Sequence, residues 1–285
     1  MGVAFGMVSL GILRNITYST ISKEPNFLYN IGSGGTGYHV VTQRLRTAGF
    51  ILSINKTKIY VDPGIGSLIS AIESEVNFED IDAVFVSHAH IDHSSDAEGI
   101  IECIFARSMY RKKPLLIASP CVLGLKGDCN SYISKYHLRM AKEVIVGEVD
   151  KKIAFEHFKI KITPALHHKE HTIGFVLETD KLKIAYTSDT AYFESFEKYY
   201  KGVDILIAHP SVLRRNEKTS TRHASFDDIV EMLASSNPKY VLLRHIGYEI
   251  LQYGIENFIN DIKREFLEDI EIYALLDKDG VIFEI

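Results

Sequence analysis

A chain of 285 residues with 46% hydrophobic and 24% charged residues has the length and apolar content of a globular domain, which excludes a disordered or fibrous protein. Its 32 Lys and Arg against 37 Asp and Glu give a formal charge of -5, so no global positive surface serves non-specific nucleic-acid binding and any nucleic acid would have to be held locally. Three cysteines without CxxC spacing indicate neither a disulfide framework nor a structural zinc knuckle, and a reducing cytoplasm is the expected location.

The apolar run from Met1 to Leu13 is broken by Gly2, Gly6 and Gly11 and lacks a basic leader, so it reads as neither a signal peptide nor a membrane span. Residues 1–26 are set apart as an N-terminal extension and residues 27–285 as one domain, because no repeat and no Pro/Gly/Ser-rich linker divides the chain. Strands are expected at Phe27 to Ile31, Gly49 to Asn55 and Thr57 to Val61, then a helix near Ser67 to Glu75. Gly32, Gly34, Gly35 and Gly37 form a loop; no helix pattern or Lys-Ser/Thr pair follows, so it is not a nucleotide-binding P-loop. Ile81 to Val86, apolar except for Asp82, predicts a strand buried on both faces, followed by a histidine-rich turn and a helix from about Asp92 to Phe105. More strands are expected at Leu115 to Ala118, Glu143 to Val146, Lys159 to Ala165, Thr172 to Glu178, Leu182 to Thr187, Val203 to Ala208, Tyr240 to Leu243, Glu271 to Ala274 and Val281 to Glu284. Helices at Phe226 to Ala234 and Ile255 to Phe266 separate the last of these, and the interleaving defines an α/β layered domain.

The chemistry concentrates in Ser87-His-Ala-His-Ile-Asp-His93, which places His88, His90, Asp92 and His93 within six residues. His88 and His90, two apart at a strand end, can point to one side, while Asp92 and His93 on the turn into the helix can address a second point. Imidazole and carboxylate ligands suit zinc, iron or manganese, and a catalytic metal keeps one position open for water. Two metals need more ligands, and His167, Asp189 and His245 stand at or just beyond expected strand ends.

With these residues the chain resembles the metallo-β-lactamase superfamily, in particular small prokaryotic members of the ribonuclease Z-like branch. The resemblance runs from about Phe27 to the C-terminus and rests on the HxHxDH signature, Tyr60-Val-Asp62-Pro-Gly64, Thr187-Ser-Asp189-Thr190, the third-motif histidine and the late strand ending at His245. It implies a four-layer αββα sandwich with the site at one edge of the paired sheets. It also implies one metal on His88, His90 and His167, a second on Asp92, His93 and His245, Asp189 bridging, and Asp62 orienting ligands through hydrogen bonds.

His167, His168 and His171 compete for the third motif; a ribonuclease Z-like spacing selects His168, a HTxG pattern selects His171, and Thr163-Pro-Ala-Leu-His167 fits a TPxxH pattern, which favours His167. His223 occupies the place where ribonuclease Z-like enzymes carry a histidine before the helix preceding the last ligand, which implies a general acid, with Asp92 as the other catalytic residue. His209 has no such match and reads as a buried or supporting histidine. Arg214, Arg215, Lys218 and Arg222 against the single acid Glu217 reverse the local charge before His223, where they could meet phosphate if the loop is not simply a solvated one.

The expected activity is that of a dinuclear hydrolase in which a metal-bridging hydroxide attacks a phosphodiester or another anionic ester. The alternative is a mononuclear iron oxygenase resembling persulfide dioxygenases. The expected cofactors are two divalent ions, zinc foremost with manganese or iron admitted; with Asp92, Asp189 and hydroxide they leave a site of roughly +1, which favours anions. The expected partners are an anionic small molecule or a nucleic-acid phosphodiester, with no membrane and room for a homodimer.

Overall fold

Side chains in the central strands alternate between two buried faces. Phe50, Leu52 and Ile54 enter one apolar cluster and Ile51 another; Ala83 and Phe85 part from Val84 and Val86 in the same way, as do Ile205 and Ile207 from Leu206 and Ala208. A period of two with apolar residues in both phases requires cover on both sides of a sheet.

The computed structural model describes residues 9–126, 130–167, 171–215, 222–266 and 270–284. Its strands are β1 (Ser9–Leu13), β2 (Phe27–Asn30), β3 (Phe50–Ile54), β4 (Thr57–Val61), β5 (Ile81–Val86), β6 (Leu115–Ala118), β7 (Glu143–Val146), β8 (Lys152–Ala154), β9 (Lys159–Pro164), β10 (Ile173–Glu178), β11 (Lys183–Tyr186), β12 (Ile205–Ala208), β13 (Tyr240–Leu243), β14 (Glu271–Ala274) and β15 (Gly280–Glu284). The helices are α1 (Tyr18–Ile21), α2 (Thr36–Thr42), α3 (Ser67–Glu73), α4 (Ile91–Ser94), α5 (Ala97–Arg107), α6 (Lys135–Leu138), α7 (Phe196–Tyr200), α8 (Phe226–Ser236), α9 (Tyr248–Tyr253) and α10 (Ile255–Glu265). One sheet has the order β1-β15-β2-β3-β4-β5-β6-β7, the other β14-β13-β12-β11-β10-β9-β8.

The inner faces share one core, in which Phe50 and Phe85 of the first sheet meet Phe175 and Tyr186 of the second edge to face. On the outer face of the first sheet α5 buries Ile100, Ile101 and Ile104 completely against the cluster of Val84, Val86 and Leu116. Each such side chain contributes about 1.5–3 kcal/mol by leaving water, and Ile101→Ala would cost about 2–5 kcal/mol. On the second sheet α8 and α10 supply Ile229, Met232, Leu233, Phe258 and Ile262. Helix α8 starts where Ser225 and Asp228 form a reciprocal capping box, and it ends at Asn237 in the left-handed region. The architecture is the αββα sandwich.

Three local features differ from the sequence expectation. Residues 9–26, set apart as an extension, supply β1, paired with β15, and α1, which packs on β2 in the same sheet. The helix expected over Asp92 to Phe105 is two helices, because the Asp96 amide turns to the Pro63 carbonyl and its carboxylate takes the Leu68 amide at the start of α3. The glycine loop ends early, since α2 begins at Thr36 with Gly35 as its N-cap.

Candidate metal centre

Strand direction assembles the site. β4 runs parallel to β5, and β11, β12 and β13 are parallel neighbours, so their carboxy-terminal ends meet at one edge of the sandwich. That edge carries Asp62 after β4, His88 after β5, Asp189 after β11, His209 after β12 and His245 after β13. β9 lies two antiparallel steps from β11 and ends on the same edge, followed by His167. Asp62, Ser188 and His245 leave their strands with φ of +50°, +56° and +54°, a left-handed backbone that costs on the order of 1 kcal/mol or more for a non-glycine residue. Such strain at three strand ends beside one cluster is typical of a functional site.

Every residue expected at the centre is brought together there. His88, His90 and His167 offer ligand atoms within 4.8 Å of one another, and so do Asp92, His93 and His245. Asp189 lies between the two groups. Its Oδ1 is 3.5 Å from His93 Nε2 and 3.4 Å from His245 Nε2, while its Oδ2 faces His167 Nε2 at 3.9 Å. Asp92 Oδ2 is 3.3 Å from His245 Nε2 and also takes the Thr36 amide at 3.1 Å. His171 is exposed and away from the cluster, and His168 lies outside the described residues.

Hydrogen bonds at the back of the histidines fix which nitrogen faces inward. Asp62 accepts from the Ser87 amide and hydroxyl, each at 2.7 Å, and from the Tyr186 hydroxyl, and its Oδ2 lies 2.9 Å from His93 Nδ1. The Ser87 hydroxyl donates to Asp62 and so accepts from His88 Nδ1, 3.0 Å away. His167 Nδ1 donates to the Arg222 carbonyl. Three imidazoles thus hold a proton at Nδ1 and turn Nε2 toward the centre, an arrangement suited to binding a metal through Nε2. His88 Nε2 is buried with no hydrogen-bond partner, a cost that a metal at this point would remove. The donor set and its orphaned atom fit divalent metal ions.

Burial and the imidazoles of His93 and His167 hold His88 well below its ordinary pKa, and burial pushes His167 down to about 3. Burial also opposes a charge on His93, but Asp189, Asp92 and Asp62 surround it and raise its pKa well above the ordinary value. Asp189, despite burial, is held well below the usual carboxylate range by His245, His93 and His209.

Two supports were not legible in the sequence. The first is the glycine loop, which is the wall behind His245: a Cβ on Gly35 would sit 2.0 Å from the His245 ring, and one on Gly64 would meet the Asp92 carbonyl at 2.0 Å. The second is Arg244, only 3% exposed, whose guanidinium reaches His209. An arginine closing an otherwise apolar strand run was the available signal. His223 does reach the centre, with Nδ1 3.6 Å from Asp189 Oδ2 and its ring 4.8 Å from that of His167. Of the basic loop, Arg215 is drawn away to Asp228 and Glu231 at 2.8 and 3.4 Å, Arg214 and Arg222 are exposed, and Lys218 and Glu217 lie outside the described residues.

A family model for the Beta-lactamase superfamily domain matches residues 57–246. An uncharacterized protein of Methanocaldococcus jannaschii is 31% identical over 228 residues, 79% of this chain and 85% of that protein. A ribonuclease Z of Sulfolobus acidocaldarius is 25% identical over 275 residues, 81% of this chain and 93% of the relative. The metallo-beta-lactamase fold protein YhfI from Bacillus subtilis superposes with a TM-score of 0.72 at 19% identity, covering 92% of this chain and 100% of its own. The chain belongs to the metallo-β-lactamase superfamily, as a ribonuclease Z-like member and a metal-dependent hydrolase. No helix among the described residues is long and apolar enough to cross a membrane.

Proposed function

We propose that the protein is a dinuclear hydrolase of phosphodiesters, working in the cytoplasm on an anionic small molecule or a nucleic acid. The observation that carries this reading is Asp189, one carboxylate whose two oxygens face two separate ligand groups. His88, His90 and His167 would hold one ion and Asp92, His93 and His245 the other, with zinc the first choice for such a nitrogen-rich set. Two divalent ions so held would activate water near neutral pH and would offset negative charge on a bound phosphate. Asp92, with Oδ2 occupied by Thr36 and His245, keeps Oδ1 to take the proton of the attacking water. His223 at the mouth gives a proton to the leaving oxygen. The ribonuclease Z of Sulfolobus acidocaldarius among the relatives supports a phosphodiester over a thioester or lactone.

The test combines elemental analysis with a substrate panel of bis-p-nitrophenyl phosphate, cyclic nucleotides, precursor tRNA, thioesters and lactones. Two metals per chain and turnover confined to phosphodiesters are expected. One metal persisting in excess zinc or manganese would remove the bridging role of Asp189 and favour the mononuclear iron oxygenase.

Metal uptake should separate the two positions by pH. His88 and His167 are already neutral at pH 7, so filling their position expels no proton from either, whereas the ion at His93 must displace a proton that the surrounding carboxylates hold well above pH 6.5. As pH falls, the binding constant at the His93 position should therefore fall more steeply than the one at the position of His88 and His167. Calorimetric titration in buffers of different ionisation enthalpy measures the released proton. Two constants with the same pH slope would contradict the assignment.

A further inference from the structure

We infer that Arg244 and His209 are positioning residues that hold the Asp189 carboxylate in its metal-facing orientation. The inference rests on the proposed role of Asp189 as a ligand. It starts from the guanidinium of Arg244, which is buried at the junction of the two sheets. Its Nε donates to Asn30 Oδ1 at 3.1 Å and its Nη2 to the Gly32 carbonyl at 2.6 Å, both from the end of β2, and its face lies 4.6 Å from the centre of the Phe50 ring. The third direction, Nη1, meets His209 Nε2 at 3.2 Å.

A guanidinium has five N–H donors and no acceptor, so His209 Nε2 must be the acceptor in this contact. The imidazole proton therefore sits on Nδ1, which lies 2.8 Å from Asp189 Oδ1 and donates to it. The His209 ring is itself held parallel to the His245 ring, 4.6 Å away and 6° from coplanar orientation. Asp189, His209 and His245 have a spacing that could suit a metal, but both nitrogens of His209 are committed, one to Arg244 and one to Asp189. His209 is thus a donor to the carboxylate. With one lone pair of Oδ1 directed to His209, the other is aimed at His93 and His245, and Oδ2 is turned toward His167. The anchor of this arrangement lies in the first sheet, at Asn30 and Gly32, while the carboxylate it orients lies in the second.

The test compares the wild type with His209→Ala, His209→Asn and Arg244→Met by competition of cobalt(II) against a chelator, by the visible spectrum of bound cobalt, and by ¹⁵N spectra of the metal-free protein. The wild type should show His209 protonated at Nδ1, a measurement that needs no variant. His209→Ala should weaken cobalt binding by about 10- to 100-fold and change the spectrum, the usual cost of removing a group that orients a ligand. His209→Asn, whose side-chain N–H can take the place of Nδ1–H, should recover most of that loss, and Arg244→Met should lose about tenfold and show a mixed tautomer. A merely space-filling role would leave Asn no better than Ala. An Nε2-protonated His209, or wild-type affinity and spectrum in His209→Ala, overturns the inference. A wild type that binds one metal would defeat the dinuclear reading alone, because the order of the four proteins on that metal still decides the role of Arg244 and His209.

Discussion

Asp189→Asn should lower kcat/KM for phosphodiesters by about 10³-fold or more, a loss of roughly 4 kcal/mol of transition-state stabilisation, and bring metal content toward one per chain. The magnitude follows from the number of groups that meet this carboxylate: His93, His245 and His209 on Oδ1, His167 and His223 on Oδ2. Asparagine keeps the volume and one oxygen but cannot serve two cations, and its amide would point N–H groups at one set of ligand nitrogens. The metal-free protein offers a second readout. Asp189 has its pKa depressed on folding, so its stabilisation is complete above the unfolded value near 4 and fades as pH falls toward the folded one; His93 has its pKa raised, so its contribution is complete below about 6.5 and is lost as pH rises through its folded value. In the metal-free Asp189→Asn variant both of these contributions should shrink, as urea denaturation across pH would measure. Full metal content with undiminished turnover in Asp189→Asn would remove the carboxylate from the centre of the mechanism.

How much of this was legible depends on how local the determining forces are. Ile81–Val86, Leu115–Ala118, Glu143–Val146, Tyr240–Leu243 and Glu271–Ala274 form strands over the residues expected; in Ile81–Val86, Leu115–Ala118 and Tyr240–Leu243 a run that is apolar in both phases between turn signals has few other ways to bury itself. β1 escaped because Ser9–Leu13 is a half-buried edge strand whose pairing partner, β15, lies at the other end of the chain. β8 is only three residues long. Helix α2 was hidden by Gly37 and two valines, residues with weak helix propensity, and its start depends on contacts of Gly35 and Thr36 with His245 and Asp92 rather than on local preference.

The same division holds at the site. His88, His90, Asp92 and His93 announce themselves by proximity in sequence, while the back of the centre is assembled by topology. Arg244 reaches His209 because β12 and β13 are parallel neighbours in a register that pairs Ala208 with Leu243, which places the residues after each strand side by side. No spacing along the chain encodes that.

Replacing His223 with Ala should depress turnover of diesters with alkoxide leaving groups by about 10² to 10⁴ while sparing activated aryl esters, whose leaving groups need little protonation. The position of the ring supports this division. Its side chain is 20% exposed, at the mouth, where a leaving group would sit, and Nδ1 is 3.6 Å from Asp189 Oδ2. The carbonyl of the preceding Arg222 accepts the Nδ1 proton of His167, so this stretch of backbone is tied to the centre whatever side chain stands at 223. Metal content should for that reason stay unchanged in the variant, which separates loss of a proton donor from loss of the site. A plot of log kcat against leaving-group pKa should steepen in His223→Ala, because the developing negative charge is no longer neutralised by a proton. Parallel plots for the two proteins, or metal lost together with activity, would assign His223 to holding the centre instead of protonating the departing oxygen.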